Sequence, residues 1–144
     1  MLHRNAAPGG WESSSKDFDL RYYSDDDTIP ADASSLAWDK LIIEATERAG
    51  REPSPGPKLE VYFQVAGFRK VTKRQFKVPI GSWLKAPALK EVGSVYLAQM
   101  IEGLEGFSLG LMCDVLGWAE EEVKKFLEKV RREFTSGKQH IYMV

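Results

Sequence analysis

The stretch Asp17-Phe18-Asp19-Leu20-Arg21-Tyr22-Tyr23 sets the apolar Phe18, Leu20 and Tyr22 between Asp17, Asp19 and Arg21. A period of two is that of a strand with one buried face. The reading extends back to Trp11 through Glu12-Ser13-Ser14-Ser15-Lys16, residues with little liking for sheet interiors. Pro8-Gly9-Gly10 opens the strand, and the polar loop Ser24-Asp25-Asp26-Asp27-Thr28 before Pro30 closes it. Residues 1–7 carry no structural signal and read as a disordered tail.

Working outward from that strand, Leu36, Trp38, Leu41, Ile42, Ala45 and Ala49 recur at helical spacing, with Ser34 or Ser35 as N-cap and Gly50 as stop. The stiff Pro53-Ser54-Pro55-Gly56-Pro57 leads into a second helix, Lys58 to Ala66, expected to turn Leu59, Tyr62, Phe63 and Ala66 inward. Phe68 to Ile80 shows no helical period and predicts a strand whose Arg69, Lys70, Lys73, Arg74 and Lys77 form a solvated face. Leu89, Val92, Tyr96, Leu97, Met100, Ile101 and Leu104 mark one face of a helix over 88–104. Gly103 and Gly106 separate it from a short apolar helix over 108–116. Glu120-Glu121-Glu122 then suit the positive end of a helix dipole, and Val123, Phe126, Leu127, Val130 and Phe134 carry that helix to a last strand, Lys138 to Val144. The order is strand, helix, helix, strand, three helices, strand, which is an α/β chain.

The 144 residues, 43% hydrophobic and 28% charged with a formal net charge of -1, suit one domain with no strong electrostatic bias toward nucleic acid or anionic lipid. No nucleic-acid or membrane partner is expected. Cys113 is the single cysteine, and His3 and His140 are the two histidines, so an internal disulfide and a Cys/His zinc centre are both excluded. No apolar run approaches the roughly 18 to 20 residues that span a bilayer, and the first residues lack a signal-peptide core. Cytoplasmic or nuclear residence is the expectation. Asp25-Asp26-Asp27 reads as a solvated loop rather than a metal cluster, because consecutive carboxylates seldom converge on one ion. His140 reads as a hydrogen-bonded strand residue rather than a general base, and Cys113 as a packed thiol.

The ordered series Pro8-Gly9-Gly10-Trp11-Glu12, Ser24-Asp25-Asp26-Asp27-Thr28, Ala66-Gly67-Phe68, Pro79-Ile80-Gly81-Ser82-Trp83, Leu116-Gly117-Trp118 and His140-Ile141-Tyr142 resembles the C-terminal half of fungal LaeA-like class I S-adenosylmethionine-dependent methyltransferases. The resemblance implies a partial Rossmann-like fold over 8–144: the last three strands, crossover helices, and a helical lid over 84–136. It places the seventh strand, antiparallel, between the fifth and sixth. It implies the cofactor S-adenosylmethionine and a small-molecule acceptor from secondary metabolism. The chain departs from that pattern in one respect that matters. No G-x-G stands between a strand and a helix, so the usual cofactor cradle is missing and this chain alone is expected neither to bind the cofactor nor to act.

No catalytic or metal-binding residue stands out. Trp83, Tyr96, Met100, Met112 and Trp118, aromatic and thioether side chains of the implied lid, are the candidate substrate-binding set, with core packing as the competing explanation. Two functions compete with a truncated methyltransferase. One is a non-catalytic module that pairs with a protein partner, or with itself as a homodimer, through an open strand edge. The other is a relative that binds a small molecule without cofactor.

Overall fold

The computed structural model describes residues 2–4 and 13–144, with side chains from residue 13 onward. Trp11 and Pro8-Gly9-Gly10 lie outside the described residues. The elements are β1 (Leu2–Arg4), β2 (Ser14–Ser15), α1 (Ser34–Arg48), a single 3-10 turn (Gly56–Lys58), α2 (Leu59–Val65), β3 (Val71–Lys73), β4 (Val78–Ile80), α3 (Pro87–Asp114), α4 (Glu120–Thr135) and β5 (Ile141–Met143). Over the described residues the chain is mixed α/β, with four α-helices and short antiparallel ladders.

β5 organises the main sheet. Its Ile141, Tyr142 and Met143 lie opposite Ile80, Pro79 and Val78 of β4. On its other edge Tyr142 exchanges both backbone hydrogen bonds with Tyr23, at 2.9 and 3.0 Å, and Asp19 N–H donates to Val144 O at 2.7 Å. β5 therefore runs antiparallel to both neighbours and lies between them, an arrangement compatible with the last three strands of a methyltransferase fold. The register also explains a proline in a strand. Tyr142 directs its N–H and C=O toward Tyr23, so Pro79 opposite it faces a position where β5 offers no hydrogen bond. β1 joins a separate sheet, pairing with both β2 and β3.

These ladders correct several expectations. The strand over 11–23 is reduced to β2 plus the pairings at Asp19 and Tyr23, and its weak serine run is what pairs with β1. Leu2–Arg4, read as part of a disordered tail, is a strand. The strand over 68–80 divides into β3 and β4, which belong to different sheets. The alternation also fails at Asp19, which is 2% exposed, while Phe18 is half exposed. Burial of Asp19 is tolerated because its carboxylate accepts the Tyr23 hydroxyl at 2.6 Å and the Arg21 N–H at 3.1 Å.

α1, α3 and α4 pack together and against β4 and β5. Trp38 and Ile42 of α1, Leu104 and Met112 of α3, Val123, Leu127, Val130 and Phe134 of α4, Ile80, Ile141 and Met143 form one buried cluster. The helices expected as a lid thus carry the core. The two helices expected over 88–116 are one, because packing along α1 and α4 outweighs the roughly 1 kcal/mol that each interior glycine costs. Trp38 Nε1 donates to Ser108 Oγ at 2.8 Å within that interface. Leu89 and Val92, expected inward, are exposed, as are Tyr62 and Ala66 of the second helical segment.

Neither serine caps α1. The N-cap is Ala33, and the acceptors for the Ser34 and Ser35 N–H groups, at 2.8 and 2.7 Å, are the two carboxylate oxygens of Glu133 on α4. Burial pulls Glu133 upward, but these hydrogen bonds prevail and hold its carboxyl below the usual range. At the start of α4, Glu122 reaches back to the Ala119 N–H at 3.3 Å, half of a capping box, since alanine has no oxygen to return the bond.

Candidate functional site

Helix α1 buries Ser35, Trp38, Asp39, Ile42 and Ala45 on one face. Across from it, α3 presents Tyr96, Met100 and Leu104, one turn apart, with Gly103 and Phe107 beside them. The extended Leu20 to Tyr22 segment and Met143 close the floor. Between these elements lies a cleft of about 290 Å³ whose lining is aromatic, thioether and aliphatic apart from Asp39, Gln99 and the tyrosine hydroxyls. Tyr22 and Trp38 stack in it at 6.1 Å, and Phe134 meets both edge-on from behind. The Tyr22 hydroxyl lies 3.9 Å from Met100 Sδ, and the Tyr96 hydroxyl 3.0 Å from Met143 Sδ. Leu20, Tyr96 and Met143 are also a wall of a second cleft, about 470 Å³, lined further by Phe18, Leu59 and Phe76 with Lys16, Lys73 and Arg74 at its polar side.

Asp39 is the chemical exception in this wall. It is 6% exposed, and its Oδ2 accepts the Tyr22 N–H at 3.2 Å. That N–H points away from β5, so the carboxylate satisfies the free edge of the extended segment. Burial, aided by the negative Asp19, pushes the Asp39 carboxyl up to about 7, against the pull of the Tyr22 N–H and of Lys40 and Arg21. Burial also raises the Tyr22 hydroxyl well above its ordinary range, with Asp39 adding to the shift.

Of the five residues proposed from sequence, only Tyr96 and Met100 meet in the cleft. Met112 is fully buried in the core. Trp118 packs on Phe126 at 5.8 Å, outside both clefts. Trp83 stacks on the His140 ring at 4.9 Å and donates to Ile141 O at 3.2 Å. The sequence reading missed Tyr22, Trp38 and Asp39. For Asp39 a signal existed: it stands at helical spacing from Ser35 and Ile42, on the inward stripe of α1, where a carboxylate has no ordinary place.

The polar loop at 24–28 folds back on β5. Asp25 accepts the Tyr142 hydroxyl at 2.7 Å and pairs with Lys77, whose ammonium also lies 4.4 Å from the Tyr142 ring centre. Asp26 accepts from Ser24 at 3.0 Å and lies 2.5 Å from His140 Nδ1. The His140 contact, foremost, holds the Asp26 carboxyl down to about 2. No group of three metal-ligating side chains occurs among the described residues.

The glycine turn that leads from β4 into α3 is not open to the methionine end of S-adenosylmethionine. Gly81, in the turn between β4 and α3, has φ 95, but its N–H is committed to Gly93 O at 2.9 Å. A Cβ on Gly93 would fall 2.1 Å from Gly81 O, so helix and turn are already in contact.

No family model and no solved structure matches the chain. Curated relatives do. The methyltransferase pytC of Aspergillus terreus is 41% identical over 133 residues, which is 92% of this chain and 41% of that protein. The secondary metabolism regulator LAE1 of Cochliobolus heterostrophus is 29% identical over 143 residues, 98% of this chain and 46% of its own length. The probable methyltransferase tdiE of Emericella nidulans is 29% identical over 135 residues, 94% of this chain and 42% of its own length. The chain spans less than half the length of these relatives. It is a homologue, over nearly all of its residues, of fungal methyltransferases and of LaeA/LAE1 secondary metabolism regulators.

Proposed function

We propose that this chain is the acceptor-binding part of a Rossmann-like methyltransferase fold of fungal secondary metabolism, and that by itself it neither binds S-adenosylmethionine nor transfers a methyl group. The observation that carries the reading is the cleft between α1 and α3, where Tyr22, Trp38, Tyr96, Met100 and Phe107 offer a flat apolar site of small-molecule size. The homologues and the placement of β5 between β4 and the Tyr23 segment support it. Methyl transfer asks the acceptor side chiefly for alignment, which the stacked Tyr22 and Trp38 rings, on the extended segment and on α1, provide.

Two measurements test this. Calorimetry with S-adenosylmethionine is expected to show no binding, and micromolar affinity would overturn the cofactor claim. Titration of protein carrying isotope-labelled methionine methyls with the methyl ether of beta-naphthol is expected to shift Met100 and Met143 and leave Met112 in place. No movement at Met100 with either this ether or the parent naphthol would remove the cleft as an acceptor site.

A second reading is favoured by a separate observation. Val61, Tyr62 and Val65 on α2, and Leu89, Val92 and Val95 on α3, are exposed apolar residues, the kind of surface that pairs with a protein partner or a second copy. Light scattering that gives a strictly monomeric mass across the micromolar range would count against self-association.

A further inference from the structure

The cleft contains one group that an apolar pocket does not need. Asp39 lines it, is nearly fully buried, and uses only Oδ2, on the Tyr22 N–H. Oδ1 has no hydrogen-bond partner among the described residues. Ser54 Oγ is the buried side-chain atom left without a partner among the described residues, so Asp39 Oδ1 is instead reached by solvent, and a molecule in the cleft that Asp39 lines can donate to it in place of water. Most donors of the surrounding wall are already committed, and the Gln99 amide, also in the lining, belongs to an exposed residue. The Tyr22 and Tyr96 hydroxyls are turned to Met100 and Met143 sulfurs, and the Trp38 N–H is spent on Ser108.

We infer that Asp39 is a specificity-determining residue, and that the cleft takes a flat, largely apolar molecule bearing one N–H or O–H group, which donates to Asp39 Oδ1. The inference rests on the acceptor-site reading and adds to it the chemistry of the ligand. Packing against Tyr22, Tyr96 and Phe107 gives affinity without choosing among flat rings. The carboxylate oxygen gives the choice, because an analogue that has lost its donor leaves the atom unpaired and also loses its own bond.

The test compares beta-naphthol, which has an O–H, with its methyl ether, which does not, by the same methionine-methyl titration at about pH 8, where Asp39 is mostly ionised. The wild-type chain should bind the naphthol about tenfold more tightly. Asp39→Asn keeps a carbonyl oxygen for the Tyr22 N–H but turns an amide donor toward the cleft, so the preference should collapse to about twofold or less. A purely structural Asp39 would leave the ratio unchanged in the variant. Equal binding of both probes to the wild type, or a preference that survives Asp39→Asn, overturns this inference while the acceptor-site reading stands. Failure of both probes to move Met100 overturns the two together.

Discussion

Gly93 and Gly106 are indistinguishable by composition, both lying in α3 where alanine is ordinarily the better helix former. The fold separates them. Gly93 is buried against the turn after β4, with the position of a missing Cβ 2.1 Å from Gly81 O and 3.2 Å from Pro79 Cγ, whereas a Cβ on Gly106 meets nothing within 4 Å. The same substitution should therefore have opposite signs. Gly93→Ala is expected to destabilise by about 3 kcal/mol, because backbone rather than a flexible side chain must move. Gly106→Ala should stabilise by about 0.5 to 1 kcal/mol through lower unfolded-state entropy. Urea denaturation of both variants checks the pair, and a Gly93→Ala protein as stable as the wild type would contradict the described contact. Only Gly106 behaves as sequence propensity says. Asp39 shares this in part: its place on the inward stripe of α1 is legible, but nothing local to Trp38-Asp39-Lys40 reveals that its carboxylate will stop the free N–H of Tyr22.

At the scale of elements, α4 was the most legible. Its acidic first turn and its Val123, Leu127, Val130 and Phe134 stripe are those of a helix with one buried face, and all four are buried. The start of α1 was not legible in the same way. Two serines there look like caps, yet the acceptors come from Glu133, almost a hundred positions away. This inter-helix cap gives a pH signature. Glu133 has its folded value held below the ordinary 4.5, so it contributes stability above that value, and the contribution is lost as pH falls through the folded value. Glu133→Gln turns one acceptor into a donor facing the Ser34 or Ser35 N–H. It should cost about 1 to 2 kcal/mol near neutrality and less in acid. Chemical denaturation at both pH values measures it. A variant with an unchanged midpoint would mean that water caps α1 as well as Glu133 does.

Over the whole molecule the titrating groups oppose one another. Asp26, held down to about 2 by His140, and Glu133 favour the fold once ionised, so stability rises as pH climbs out of the acid range. Asp39 works the other way. With its folded value near 7 against 3.8 for the free group, the folded state holds the proton more firmly, and stability falls as pH rises between those values. The wild-type maximum is expected near about pH 5, and Asp39→Asn should flatten the alkaline side, gaining on the order of 2 kcal/mol at about pH 8. Thermal unfolding across that range checks it, and a wild-type profile flat from about pH 5 to 8 would show that Asp39 does not carry its burial into stability.

The sequence by itself determined what depends on neighbours within a turn or two: the existence of α1 and α4, the glycine stops at Gly50, Gly67 and Gly117, all with positive φ, and the strand character of Ile141 to Met143. It also carried the family resemblance, because ordered motifs survive where single contacts do not. What only the tertiary structure decided depends on partners distant in sequence. Gly103 and Gly106 do not break α3, because helices packed on either side outweigh their propensity. The residues from 68 to 80 serve two sheets, because β1 and β5 compete for different parts of them. The candidate site followed the same rule: Tyr96 and Met100 share a helix face that periodicity reveals, whereas Tyr22 and Asp39 join them only through a strand edge and a helix brought together by the core.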